Sequence, residues 1–262
     1  MTKEKVIFFG NGPLADYALE VLEQNCQIVF HAHTKEDLEE VKRIKTETPE
    51  AHGVLASFGV IIRSDVLDLF EPEGILNIHP SLLPQYRGAS PIESAILAGD
   101  DEFGVSVMKL APKMDAGPIY AQATLAGLPI EKDRIYREAA KTGAKMVLAV
   151  INDKNSKVPT PQDDTKATFC GKLDKAMGLL TPEIDTAEQI LRKIIAFQGF
   201  PKPKYAFFGL KCIVLEAHML KSGETAPLVI PCLDKRSVAV DLLQPEGRKP
   251  MDAISFINGY KK

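Results

Sequence analysis

The chain has 262 residues, 45% of them hydrophobic and 26% charged, with 32 Lys and Arg against 35 Asp and Glu. These are ordinary values for a soluble protein, with enough apolar content for one large domain or two modest ones. No apolar run approaches the roughly 20 residues of a membrane helix, and the four cysteines (26, 170, 212 and 232) lack the C-x-x-C spacing of a zinc ribbon.

The opening MTKEKVIFFG enters a strand directly, without the apolar h-region of a signal peptide. With the cysteine usage, this gives the expectation of a cytoplasmic protein. KVIFFG reads as a short apolar strand, and PLADYALEVLEQN as an amphipathic helix with Leu14, Ala18, Val21 and Leu22 on one side. QIVFHA is a second strand, TKEDLEEVKRIKTE a charged helix, and GVLASFGVII and GILNIH two further buried strands. SPIESAILAG has the marks of a helix, with Ser90 as N-cap, Pro91 in the first turn, Glu93 completing a capping box and Gly99 at the end. FGVSVMKL and PIYAQATL read as a strand pair around APKMDAG, and DRIYREAAKTGAKMVLAVIND as a long amphipathic helix. Strands alternating with helices imply a mainly parallel, doubly wound α/β sheet, whose ligands belong at the carboxyl ends of the strands.

The proline-rich KVPTPQDDTKATFCGKLDK breaks this pattern. The expected organisation is therefore a catalytic domain over 1–165, a linker over 166–183 and a second domain over 184–262. The last begins with a helix, DTAEQILRKIIAFQ, with Asp185 as its expected cap. KYAFFGL and KCIVLEAHM then suggest a hairpin, and APLVIPCL and SVAVDLLQ further strands, together a small OB-like β-barrel. Residues 184–262 carry 12 Lys and Arg against 8 Asp and Glu, a net of +4, while the first 183 residues carry a net of −7. A basic segment on an acidic body points to a polyanionic partner for that segment.

Three places carry candidate chemistry. FFGNGPLA holds G-x-G-x-x-A (Gly10, Gly12, Ala15) between a strand and a helix, which is the dinucleotide pattern. The second strand, however, ends FHAHT with no acidic residue to hold a ribose, so a tight turn without a nicotinamide cofactor is the better reading. His31 and His33 form an H-x-H pair with no Cys or acidic ligand cluster beside them, so a strand end is expected there and not a metal site. In NIHPSLLPQYRG, Asn77 and His79 share one face of a strand while Ile78 points away into the core. An amide beside an imidazole at a strand's carboxyl end suggests a place where a proton moves. Asp115 in KMDAGPI could orient that imidazole.

The run NIHPSLLPQYRGASPIESAILAGDDEFGVSVMKLAPKMDAGPI, with N-x-H, S-L-L-P, R-G-A-x-P-I and D-x-G at this spacing, resembles the signature of the folate-dependent formyltransferases. AFQGFPKPKYAFFGLKCIVLEA and DLLQPEGRKPMDAISFING are similar to the added C-terminal domain of the methionyl-tRNA formyltransferases. The resemblance implies a Rossmann-like formyltransferase domain and transfer of the formyl group of 10-formyltetrahydrofolate to an amine. The implied amine is the α-amine of initiator methionyl-tRNA, in support of translation initiation, and no metal, DNA or membrane is called for. It implies a catalytic trio of Asn77, His79 and Asp115, and folate contacts from Phe58, Gly59, Val60 and Ile61 and from Ser81, Leu82, Leu83 and Pro84. Arg87, Gly88, Lys202, Lys204, Arg248 and Lys249 are the expected acceptor contacts. One departure is plain. The tRNA enzymes usually carry a long basic insertion after the second strand, and here only TKEDLEEVKRIKTETPEAHG separates that strand from the next. A small amine, such as an amino-sugar nucleotide or glycinamide ribonucleotide, is the alternative acceptor.

Overall fold

In a computed structural model, which describes residues 3–126, 131–153 and 158–261, the chain forms two compact units. One comprises Met1–Ile92 with Asp101–Gly171, the other Glu93–Asp100 with Lys172–Lys262. Lys157, at the start of the proline-rich segment, lies outside the described residues.

The first unit is built on strict alternation. In β1 (Lys5–Gly10), Val6 and Phe8 face one layer while Ile7 and Phe9 face the other, and all four are fully buried. Such burial is worth roughly 1.5–3 kcal/mol for a Val, Ile or Phe side chain. Helix α1 (Pro13–Asn25) covers the Val6 side with Leu14, Ala15, Ala18 and Leu22. Strand β2 (Gln27–Ala32) returns beside β1, and α2 (Asp37–Glu47) covers the Ile7 side with Leu38 and Val41. After β3 (His52–Ala56), the four-residue helix α3 (Ser64–Leu67) joins that second layer through Val66 and Leu67. Then come β4 (Ile75–His79), the two-residue β5 (Arg87–Gly88), and α4 (Pro91–Ala98), most of which belongs to the second unit. Strands β6 (Glu102–Lys109) and β7 (Ile119–Ala126) form a hairpin, α5 (Lys132–Asn152) packs beside α1, and β8 (Phe169–Cys170) pairs with β5.

The sheet order is β2-β1-β3-β4-β6-β7, parallel through β4 and antiparallel beyond it. It is the expected doubly wound sheet with an antiparallel edge. One strand is shorter than its sequence suggested. GVLASFGVII reads as a single apolar run, yet β3 ends at Ala56, because Ser57 and Gly59 take positive φ (56° and 70°) and turn the chain out of the sheet. The glycines after β1 have separate reasons. A β-carbon on Gly10 would overlap the Ala56 carbonyl oxygen and crowd Ala15, while Gly12 sits at φ 78°. Both serve a close strand-to-helix turn.

The second unit pairs α6 (Ala187–Ala196) with an antiparallel sheet of order β11-β12-β10-β9, and β13 flanks β12. Its strands are β9 (Lys204–Phe207), β10 (Leu210–Met219), β11 (Val229–Pro231), β12 (Ser237–Pro245) and β13 (Met251–Asp252), followed by α7 (Ala253–Tyr260). Among the described residues no pairing joins β9 to β11, so the sheet is a half-barrel. The cap of α6 is not Asp185. Thr186 accepts from the Gln189 amide and Gln189 reaches back to the Thr186 backbone, a complete capping box. Asp185 is instead buried, accepting from Thr181 and Lys193.

Candidate active site

Strand β4 places the site. Leu76 and Ile78 point into the layer covered by α1 and α5, and Ile75 into the opposite layer, so Asn77 and His79 lie on the Ile75 side at the strand's carboxyl end. Both are 5% exposed. Neighbouring strands hold the backbone on either side, with Asn77 opposite Leu55 of β3 and Met108 of β6. The Asn77 side-chain amide makes no hydrogen bond among the described residues, so its donors remain for a ligand.

The His79 ring is fixed from one side. Nε2 lies 2.9 Å from the Tyr86 carbonyl oxygen, and a carbonyl only accepts, so Nε2 carries the hydrogen. Nδ1 is therefore the nitrogen left for chemistry, and it lies 3.8 Å from Asp115 Oδ1. That separation exceeds a direct hydrogen bond and admits a shift or a bridging water.

Asp115 lies on the turn between β6 and β7 at φ 49°, a left-handed conformation that Asp tolerates better than most residues. Its Oδ2 accepts from the Gly88 backbone N–H at 2.8 Å. Gly88 sits at φ 125°, where a β-carbon would overlap the Cys170 carbonyl, so glycine alone lets β5 pair with β8 and aim this N–H at Asp115. Arg87 is 1% exposed and faces inward. Its Nε and one terminal nitrogen donate to Gln162 Oε1 at 3.0 and 2.7 Å, and the same terminal nitrogen meets Asp164 at 2.8 Å. Its other terminal nitrogen is buried without a partner among the described residues. Lys113 and then Arg87 hold the Asp164 carboxyl below its ordinary value by hydrogen bonding. Arg87 is thus an internal brace, held by Gln162 and Asp164.

The two expected folate segments flank this cluster. Ser81 donates to the Gln85 carbonyl at 2.6 Å, and Ser106 of β6 receives the Leu83 N–H at 3.0 Å while donating to the Ser81 carbonyl at 2.6 Å. Gln122 of β7 donates to both the Leu83 carbonyl and Ser106 Oγ. The loop is held by two strand residues, Leu83 is buried, and Leu82 and Pro84 are half-buried. In the other segment, Phe58 packs edge-on against Phe9 in the core, Gly59 is open, Val60 is half-buried and Ile61 is 84% exposed. Lys202, Lys204, Arg248 and Lys249 are exposed residues of the second unit.

Sequence reasoning missed Gln162, Ser106 and Gln122. A serine and a glutamine within otherwise apolar strands were a signal, whereas Gln162 lies in a segment without periodicity. The His31 and His33 rings lie 3.7 Å apart at a 40° tilt and bond to the Gly10 carbonyl and to Asn11, at the end of β2, which is three strands from β4 in the sheet order. Among the described residues, no group of three His, Cys, Asp or Glu is placed to hold a metal. No helix among them is long and apolar enough to cross a membrane.

The geometry can be set beside known proteins. The Formyl transferase family model matches residues 9–151, and its C-terminal domain model matches 172–261. A methionyl-tRNA formyltransferase of Dictyoglomus thermophilum is 32% identical over 243 residues, 87% of this chain and 77% of that protein. One from Thermus thermophilus is 33% identical over 230 residues, 84% of this chain and 74% of that protein. Among solved structures, a methionyl-tRNA formyltransferase from Clostridium thermocellum aligns with a TM-score of 0.67 at 19% identity, over 93% of this chain and 98% of that one. A sugar 3N-formyl transferase, WlaRD, aligns with a TM-score of 0.66 at 17% identity, over 95% of this chain and all of the other. HypX from Aquifex aeolicus, in complex with tetrahydrofolic acid, gives a TM-score of 0.76 at 18% identity, though this chain spans only 48% of its length.

Proposed function

The chain belongs to the formyl transferase family, and from that premise we propose that it transfers the formyl group of 10-formyltetrahydrofolate to the α-amine of initiator methionyl-tRNA, as a cytoplasmic enzyme of translation initiation. The single observation that carries this reading is the convergence of the Asn77 amide and His79 Nδ1 at the end of β4, with Asp115 Oδ1 facing Nδ1 at 3.8 Å. The acceptor nitrogen attacks the formyl carbon, a C–N bond forms, and the carbonyl oxygen becomes an oxyanion that accepts from the Asn77 amide. His79 Nδ1 takes the proton lost by the attacking nitrogen and delivers it to the folate nitrogen as its bond to carbon breaks. The products are the formylated amine and tetrahydrofolate. Asp115, anchored by Gly88, holds the imidazole in line and balances its charge while the proton is carried. The Ser81–Pro84 loop and the open backbone at Gly59 to Ile61 would enclose the folate. The 32–34% identity to methionyl-tRNA formyltransferases over most of the chain supports the tRNA acceptor.

A specific observation favours a second acceptor class. Between β2 and β3 there is only α2, without a long basic loop, and sugar N-formyltransferases share the fold over nearly their whole length. One assay separates the two: release of tetrahydrofolate from 10-formyltetrahydrofolate with methionyl-tRNA, unacylated tRNA or amino-sugar nucleotides as acceptor. Turnover with methionyl-tRNA alone is expected. Turnover with an amino sugar and none with methionyl-tRNA would transfer the assignment.

A further inference from the structure

We propose that Gln162 is a positioning residue for the reaction, setting the Asp115 carboxylate against His79 through the backbone of the D-x-G turn. This rests on the catalytic reading of Asn77, His79 and Asp115 given above.

Every polar atom of the Gln162 side chain is committed, and in a consistent sense. Nε2 donates to the Asp115 carbonyl at 2.8 Å and to the Gly117 carbonyl at 2.7 Å, while Oε1 accepts from Arg87 Nε at 3.0 Å and from an Arg87 terminal nitrogen at 2.7 Å. Flipping the amide would set its oxygen against two carbonyls and its nitrogen against a guanidinium, so the surroundings fix its orientation. The two carbonyls it grips bracket the turn that holds Asp115 at φ 49°. Asp enters that region more readily than most residues but still at a cost, so the grip on both carbonyls helps hold Asp115 there. Gly117 tightens the constraint, since a β-carbon there would overlap the Lys109 carbonyl oxygen at the end of β6.

Arg87 completes the connection. It belongs to β5, whose next residue, Gly88, donates its N–H to Asp115 Oδ2. Gln162 therefore ties the backbone of Asp115 to the side chain of Arg87, while the strand carrying Arg87 binds the carboxylate of Asp115. The loop closes on itself, and the remaining oxygen, Oδ1, is left facing His79 Nδ1. Releasing Gln162 frees the turn to relax from its left-handed conformation, which swings Oδ1 away from the imidazole. A misplacement of about 1 Å in such an arrangement costs up to about a hundredfold in rate.

The test uses the full chain carrying Gln162→Glu, which keeps the shape and the Arg87 partner but replaces both donors, and Gln162→Met, which removes both contacts. Asp115→Asn is the comparator. In each, kcat and KM for the folate and the acceptor are measured per folded molecule, with the folded fraction taken from thermal unfolding. The His79 ring-nitrogen signals are read by NMR on the protein alone. The expected result is a kcat lowered roughly 10–100-fold, with both KM values within about threefold. The Nδ1 signal should move as it does in Asp115→Asn, while the Nε2 signal, held by the Tyr86 carbonyl, stays in place. A kcat per folded molecule within twofold of wild type, or an Nδ1 signal unmoved in both Gln162 variants, overturns the proposal. The NMR measurement needs no acceptor, so it tests the role of Gln162 whichever amine the enzyme formylates.

Discussion

An imidazole that holds a backbone carbonyl with one nitrogen has a single nitrogen left to offer, and in His79 that nitrogen is Nδ1, the proton carrier of the proposed mechanism. In the proposed mechanism three side chains divide the work. The Asn77 amide has no titratable proton and supplies hydrogen bonds, His79 carries the proton, and the Asp115 carboxylate, held by the Gly88 N–H, orients the imidazole and balances its charge. Replacing Asn77 by Ala is expected to lower kcat ~10²–10³-fold, the usual loss of one oxyanion donor. His79→Ala should cost ~10²–10⁴-fold as the proton carrier disappears. Asp115→Asn keeps the size and the Gly88 contact, so its loss should fall on kcat with the folate KM little changed. Steady-state kinetics on variants shown to be folded check all three, and a His79→Ala enzyme within tenfold of wild type would remove the imidazole from the mechanism.

At the scale of elements, the position of β4 depends on the helix behind it. Gly143, in the middle of α5, lets that helix close on the strand, since a β-carbon there would overlap Ile78 Cγ2 and press on Val105. Ile78 sits between Asn77 and His79, so any shift reaches the site. Exchanging Gly for Ala in a helix interior ordinarily stabilises by about 0.8–1 kcal/mol. Here the overlap should reverse the sign, and Gly143→Leu should cost roughly 1–3 kcal/mol by overpacking and reduce turnover as well. Urea unfolding of both variants measures this, and a Gly143→Ala protein more stable than wild type would mean that the helix can retreat without disturbing β4. Periodicity made α1 and α5 legible from the residues, because each shows its buried face in a 3.6 repeat, while short apolar runs marked β1 and β2. It also placed Asn77 and His79 together on one strand face. What it could not show were features decided by single backbone angles and by contacts distant in sequence. The apolar run 53–62 hid the turn at Ser57 and Gly59, and residue type favours Asp185 as the cap, whereas Asp185 is buried against Lys193 and Thr186 caps α6 instead. Gln162 could not be found at all, since its partners lie 45 to 75 residues away along the chain.

At the scale of the whole molecule, an acidic first part and a basic last part must act on one polyanion if the acceptor is a tRNA. The half-barrel gives the positive charge an address. In the sheet register, Lys204 of β9 stands opposite Ile213 of β10, which stands opposite Gln244 of β12, and the Gln244 amide donates to the Arg248 carbonyl. Lys202 lies two residues before β9 and Lys249 follows Arg248, so the register sets all four cations toward the same end of the sheet, across β9, β10 and β12. Each phosphate neutralised releases condensed counterions, so the affinity for methionyl-tRNA should fall steeply with salt, by a slope near −0.7 to −0.9 per contact in a plot of log K against log salt. Changing Lys202, Lys204, Arg248 and Lys249 together to Gln should flatten that slope by about three units and weaken binding at low salt. The affinity for folate should not change, because these residues belong to the second unit and the proposed folate segments to the first. Contacts of this kind are indifferent to base sequence, so unacylated tRNA should bind with the same slope, leaving discrimination to the amine that reaches His79. Filter binding of methionyl-tRNA across a salt series, for the wild-type and the fourfold-substituted chain, measures both slopes. Equal slopes would place the tRNA contacts elsewhere and make a small amine the leading acceptor.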